Sequence, residues 1–269
     1  MRWLRRTEPL RFDATAYAGL GLSDPEARMQ ALERLLADWL GPQNNRDTFG
    51  VPEEDLAHLS IPDVLRRFYR FAGRWPSPWQ TRAPILFEHP EEGYFYAGIA
   101  SAGMATPDAL RTLENGKIQL FSEQSGSWVG LTQTDGADPQ VWYGSRSNQQ
   151  PDLSQESLSG WIVSQALGSI AWEAANSHLC ATAAEPFHSS PGRSATGCTG
   201  LTGWFGSEFR HAVLLWTGRA GPSEISGNFY MFHNSLLVHQ MDTTLRFAAL
   251  TPAAAVELRT HTTKREILE

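Results

Sequence analysis

Four residues close together in the chain, His178, Cys180, His188 and Cys198, are the side chains best suited by type to hold a metal. Imidazole and thiolate are the ligands zinc prefers, and a structural site takes four of them, normally as two tight pairs. Only His178-Leu179-Cys180 is tight; His188 and Cys198 are scattered through a stretch rich in Ser, Gly, Thr and Pro over residues 186–203. That spacing argues against a metal, and no cofactor is expected. The two cysteines allow one disulfide, but free buried thiols suit a chain with so few of them. His233 and His239 have the even spacing of one strand face. Asn234-Ser235 between them reads as a turn, so both are expected at the surface or rim.

Other chemistries have spacings of their own. A nucleophile elbow needs Gly-x-Ser-x-Gly; Gly192-Arg193-Ser194-Ala195-Thr196-Gly197 has the composition without the spacing. A phosphate-cradling loop needs an upstream Gly and a Ser or Thr after its Gly-Lys; Gly116-Lys117 has neither. Glu91-Glu92 and Glu53-Glu54-Asp55 read as solvated loop charges rather than an acid–base pair. No catalytic residue is therefore assigned, and the expectation is a protein that is not an enzyme. A hydrolase whose groups converge only in space would carry no such spacing.

Composition sets the frame in which any site must be held. The chain has 269 residues, 41% hydrophobic and 19% charged, so it is globular rather than disordered. Ten Trp and thirteen Phe supply large rings of the kind that dominate cores and interfaces. The formal net charge of -7 lacks the basic signature of a nucleic-acid binder and favours a basic partner. Met1-Arg2-Trp3-Leu4-Arg5-Arg6 has no apolar run behind it, and no apolar stretch reaches membrane-spanning length. These features predict a cytoplasmic protein without membrane contact.

The pattern predicts an irregular arm over 1–22 and then a single domain over 23–269. Ser23-Asp24-Pro25-Glu26 signals a helix start, Met29 to Leu40 continue it at helical spacing, and Gly41-Pro42 stops it. Residues 43–59 read as polar and acidic. A second helix opens at Ser60-Ile61-Pro62-Asp63 and ends at Gly73. Strands are expected at Gly93–Tyr96, at Ile118–Leu120, from Trp128 through Leu131, and at Val141–Tyr143, with a turn at Asn115-Gly116 and a helix start at Thr106-Pro107-Asp108. A helix is predicted from about Leu153 to Asn176. Further strands are predicted at 211–216, 229–232 and 236–238, and a short helix after Thr251-Pro252. Runs of one element type followed by the other indicate α+β, mainly antiparallel sheet flanked by helices. Leu35, Leu36, Leu65, Phe68 and Ile118 are expected in one core.

Three segments resemble the SUKH superfamily, which includes bacterial toxin-immunity proteins and a fungal cell-wall assembly regulator. They are Ile61-Pro62-Asp63-Val64-Leu65-Arg66-Arg67-Phe68-Tyr69 ending at Gly73, the stretch from Gly116-Lys117-Ile118 to Ser127-Trp128, and Asp138-Pro139-Gln140-Val141-Trp142. The likeness is strongest over 23–180. Gln140 stands where the family usually has a second Pro, and Glu123-Gln124-Ser125-Gly126 lacks the common Asn. The resemblance implies a SUKH-like α+β domain with an elaborated C-terminal part, whose sheet presents a binding surface to a toxin domain, often a nuclease. It carries over no catalytic residue. A regulatory scaffold is the alternative, and an enzyme with an unrecognised site the more distant one. Glu123, Gln124, Trp128, Asp138, Trp142 and Tyr143 combine rings with acidic or polar groups. They are the candidate contacts for a basic protein partner. Neighbours on a strand face opposite ways, so one of Trp142 and Tyr143 should point away from the core.

Overall fold

The structure, a computed structural model, describes residues 14–40, 50–73, 102–104, 110–113, 116–123, 128–145, 152–173, 177–181, 213–218, 227–232, 236–241 and 244–249. The expectations at Gly93–Tyr96, Thr106–Asp108, 186–203 and after Thr251 lie outside these residues.

Part of the expected arm is ordered structure: Ala14–Gly21 form a 3-10 helix. Tyr17 donates to Asp38 Oδ2 at 2.6 Å, tying that turn to the first α-helix, α1 (Pro25–Leu40). The cap of α1 is Asp24, whose carboxylate accepts from the Glu26 and Ala27 backbone N–H groups at 3.2 and 3.3 Å. Pro25 then fits the first helical position, where no donor is needed. A one-turn helix α2 (Glu53–Leu56) interrupts the segment read as merely polar. The helix α3 (Asp63–Ala72) follows Pro62, buries Val64, Leu65, Phe68, Tyr69 and Ala72, and ends where the Gly73 N–H donates to Tyr69 O.

The middle of the chain builds an antiparallel sheet from β1 (Ala102–Met104), β2 (Arg111–Thr112), β3 (Lys117–Glu123), β4 (Trp128–Gln133), β5 (Gln140–Ser145) and β6 (Asp152–Ser157). Its order is β1-β3-β4-β5-β6, with β2 also pairing β3. The expected turn before β3 is present: Gly116 has φ 78, a left-handed geometry that suits glycine, and its N–H donates to Leu113 O at 2.9 Å.

The expected helix from 153 is corrected at its start. Residues 152–157 are strand β6, paired with β5 through Tyr143↔Asp152, Trp142↔Leu153 and Gln140↔Ser157. The ladder takes up the backbone groups that an early helix would use, and the helix α4 runs over Leu158–Glu173 instead. Every described side chain from Leu158 to Ala171 is buried. A helix buried on all sides is a core element. It packs against α1 and α3, against β5 and β6, and against a second sheet beyond.

That second sheet is antiparallel, with order β7-β11-β10-β9-β8. Its strands are β7 (Ser177–Ala181), β8 (Val213–Gly218), β9 (Gly227–Phe232), β10 (Leu236–Met241) and β11 (Thr244–Ala249). Three of these were expected; β7 and β11 were not. Described residues thus form helices and antiparallel sheets of an α+β class, with no parallel strand pair. Leu35, Leu36, Leu65, Phe68 and Ile118 belong to one buried cluster, as the pattern required.

Candidate functional site

The first turn of α4 gathers polar side chains from four parts of the chain. Ser157, the last residue of β6, sits at the N-cap, its Oγ facing the Gly160 N–H at 3.4 Å. Asp138 reaches in from the β4–β5 connection. The Ser159 N–H donates to its Oδ1 and the Ser159 hydroxyl to its Oδ2, both at 2.7 Å. A carboxylate there satisfies an orphan donor and complements the helix dipole.

Arg28 closes the cluster from α1. Its Nη1 donates to Ser157 Oγ at 2.9 Å and to Ser159 Oγ at 2.5 Å, and stands 3.8 Å from Asp138 Oδ2. Its Nη2 donates to the Leu22 carbonyl. The side chains of Arg28 and Asp138 are only 9% and 12% exposed, so this charge pair is nearly removed from water. The guanidinium lies over the Trp216 ring, 5.1 Å from its centroid, an attractive cation–π placement. Trp216 is fixed in turn: its Nε1 donates to Ser164 Oγ at 2.8 Å, and that hydroxyl faces the buried Glu156 at 3.4 Å. Gly160 lets the ring come close. A Cβ there would meet Trp216 at 3.1 Å.

These residues line a cleft of about 520 Å³ between the turn before α1, the ends of β5 and β6, and β8. Leu214 stands in its wall and is 52% exposed; Leu22, between the lining residues Gly21 and Ser23 in sequence, is 53% exposed. The described lining contains no His, Cys or Lys. The Ser159 hydroxyl donates to Asp138 Oδ2 and accepts from Arg28 Nη1. The arrangement fixes a helix start and lines the cleft with charged, polar and apolar groups.

A second opening of about 590 Å³ lies between α1 and α3. Arg67 spans it, donating through Nε and Nη2 to Glu33 at 2.7 and 3.1 Å and pairing with Glu26 as well. The hydrogen bond to Glu33, above all, holds the Arg67 guanidinium protonated beyond its already high basicity.

Of the residues proposed from sequence, Glu123 and Trp128 come together at one end of the first sheet, where Ser122 pairs with Val129, whereas Asp138 lies beyond the opposite end of β5. Glu123 ends β3 opposite Ala102, Trp128 opens β4 opposite Ser145, and Gln124 lies outside the described residues. Asp138 lies two residues before the other end of β5, a strand that runs roughly 17 Å from Gln140 to Ser145 at 3.3 Å per residue. Its carboxylate is committed to Ser159 and Arg28. Tyr143 is buried on the core face, and burial pushes its phenol well above the usual range; the Glu156 carboxylate adds to this and the Trp161 indole offsets part of it. Trp142 is the outward member of that pair, half-buried, with Lys117 Nζ 4.2 Å from its ring centroid. His178 and Cys180 share β7, while His188 and Cys198 lie outside the described residues. Among the described residues, no three His, Cys, Asp or Glu side chains come together. His239, expected at the surface, is buried and stacked on Phe229, with centroids 4.0 Å apart. Its strand, β10, is central in its sheet, so a side chain on the core face has no route to water.

Sequence reasoning missed Arg28, Glu156, Ser157, Ser159 and Trp216. Two signals were readable. Arg28 sits in line with Leu32, Leu35 and Leu36 on the buried stripe of α1, and Ser157-Leu158-Ser159 directly precedes an apolar run. Comparison with family models, with curated proteins and with solved structures finds no match to this chain. Among the described residues, no helix is long and apolar enough to cross a membrane.

Proposed function

We propose that this chain is a non-catalytic protein-binding protein of the immunity type, which binds a toxin domain and neutralises it. The observation that carries this reading is the division of labour around the cleft. Arg28, Asp138, Ser157 and Ser159 are tied to one another at a helix start, while Leu214 in the cleft wall is held out to solvent at 52% exposure, as are Val213 and Leu22, next in sequence to lining residues, at 41% and 53%. Exposed apolar side chains beside a rigid polar frame suit association better than turnover. The net charge of -7 favours a basic partner and speeds encounter with one. The SUKH-like segments Ile61–Gly73, Gly116–Trp128 and Asp138–Trp142 support the same reading, and a cytoplasmic location would follow from it.

The test is co-expression with a toxin domain encoded in the adjacent reading frame. The expected result is restored growth and a one-to-one complex on gel filtration. A folded chain that neither binds nor protects would overturn the proposal.

A further inference from the structure

We infer that β8 pairs, along the edge turned away from β9, with the same strand of a second copy of this chain, so that two second sheets join across a twofold axis. This goes beyond the toxin reading and does not rest on it. β8 ends its sheet and, among the described residues, pairs with β9 alone. The other edge of a terminal strand presents backbone N–H and C=O groups that a further strand can take up. The cleft runs along that edge. Leu214, Leu215, Trp216 and Thr217 line it in succession, whereas a cleft over one face would touch alternate residues. Among the described residues, no backbone hydrogen bond joins β8 to the turn across the cleft.

Edge strands are ordinarily guarded by shortness, charge, proline or a bulge. β1 has three residues and β6 starts on Asp152. β8 has six residues, none charged and none proline, and exposes Val213 and Leu214. Its guard is the bulge between Leu214 and Trp216, which adds local twist. A second copy carries the same bulge and so the same twist, which a regular strand would lack. Charge selects the same occupant. Two copies at -7 each repel, yet β8 is a neutral strip on which they can meet without setting like charges opposite one another. Leu214 pairs with Tyr230 and Thr217 with Asn228, alternate residues of β9, so Leu214 and Thr217 share one face of the sheet. A twofold axis between Leu215 and Trp216 sets each Leu214 opposite Thr217 of the second copy and covers both exposed leucines. A toxin domain that also uses Leu214 must displace the second copy, in keeping with a one-to-one complex.

The experiment is sedimentation velocity on the full chain from about 1 μM to about 1 mM, with amide hydrogen exchange at both ends of that range. The wild type should pass from monomer to dimer. Salt should strengthen the dimer, because it screens the repulsion between two acidic copies. The β8 amides that face away from β9 should become protected as the dimer forms. Two variants change the net charge equally: Leu214→Lys on the edge, and Leu22→Lys at an exposed leucine outside β8. Leu214→Lys should weaken the dimer at least about tenfold, since the axis brings two ammonium groups to one short edge, and Leu22→Lys should stay within about twofold. Leu214 is more than half exposed, so lysine there keeps the fold, and the amide protection tests the pairing in the wild type without any variant. A chain that stays monomeric at about 1 mM overturns the assignment. So does a dimer that survives Leu214→Lys undiminished, or one that leaves the β8 amides unprotected. Each result is obtained without a toxin domain, so its failure leaves the protein-binding reading intact.

Discussion

Arg28 and Arg67 both leave a helix to meet carboxylates, yet they do different work. Arg67 joins two neighbouring helices in the N-terminal half, its side chain 26% exposed and one partner, Glu26, 75% exposed. Arg28 gathers Leu22, Asp138, Ser157, Ser159 and Trp216, so it binds the first helix, the first sheet, the central helix and the second sheet to one point. Exposure decides what each is worth. A charge pair in contact with water gives up little when broken, whereas a buried one leaves an uncompensated charge behind. The chemistry of the pair is the same; the solvent around it is not.

The sharpest challenge to this contrast is Arg28→Ala. It should lower stability by about 3–5 kcal/mol, because Asp138 would remain buried beside the helix start without its guanidinium. Urea unfolding checks this, and a loss below about 1 kcal/mol would erase the distinction. Next in size is the response to alkali, since each region holds a buried phenol, Tyr69 on α3 and Tyr143 on β5. Burial raises both above the ordinary value of about 10. The unfolded chain therefore ionises first. Stability should be complete below about pH 10 and fall above it by up to about 1.4 kcal/mol per pH unit for each tyrosine. Tyr69→Phe and Tyr143→Phe should each flatten that slope in pH-dependent unfolding, and an unchanged slope would show that the phenols already reach water.

Asp138→Asn should cost about 1–2 kcal/mol, the worth of a helix cap with a charged acceptor, and the loss should persist in high salt. Arg67→Ala stands last. We expect about 1 kcal/mol or less, fading towards zero near 1 M salt, where the screening length is about 3 Å. A salt-resistant loss at Arg67 would place it in the same class as Arg28.

How much of this was legible follows from how local each signal is. The starts of α1 and α3 were readable because Asp24-Pro25 and Pro62-Asp63 settle their own geometry within a turn. Strands β3 to β5 showed in the alternation of Ile118 and Leu120 and in the Val141-Trp142-Tyr143 run. Strand β6 was not legible: Asp152-Leu153-Ser154-Gln155-Glu156-Ser157 carries turn and helix-cap residues, and only pairing with β5 makes it extended. Strand β11 alternates at Leu245 and Phe247 but follows β10 so closely that the turn escaped notice. The cleft was least legible of all. Arg28 and Ser159 lie far apart in sequence, and no spacing rule links an arginine on α1 to the start of α4.

Helix α4 also has a consequence for the order in which the chain is made. Half of its covering comes from strands that follow it, and the last of them, β11, ends about seventy-five residues downstream. At ribosomal speeds of about 5–20 residues per second, that interval lasts roughly 4–15 s. Throughout it, Trp161, Ile162 and Val163 can be shielded only by the helices and the sheet already made. A nascent chain stalled before β8 would leave that face of α4 without the second sheet to cover it.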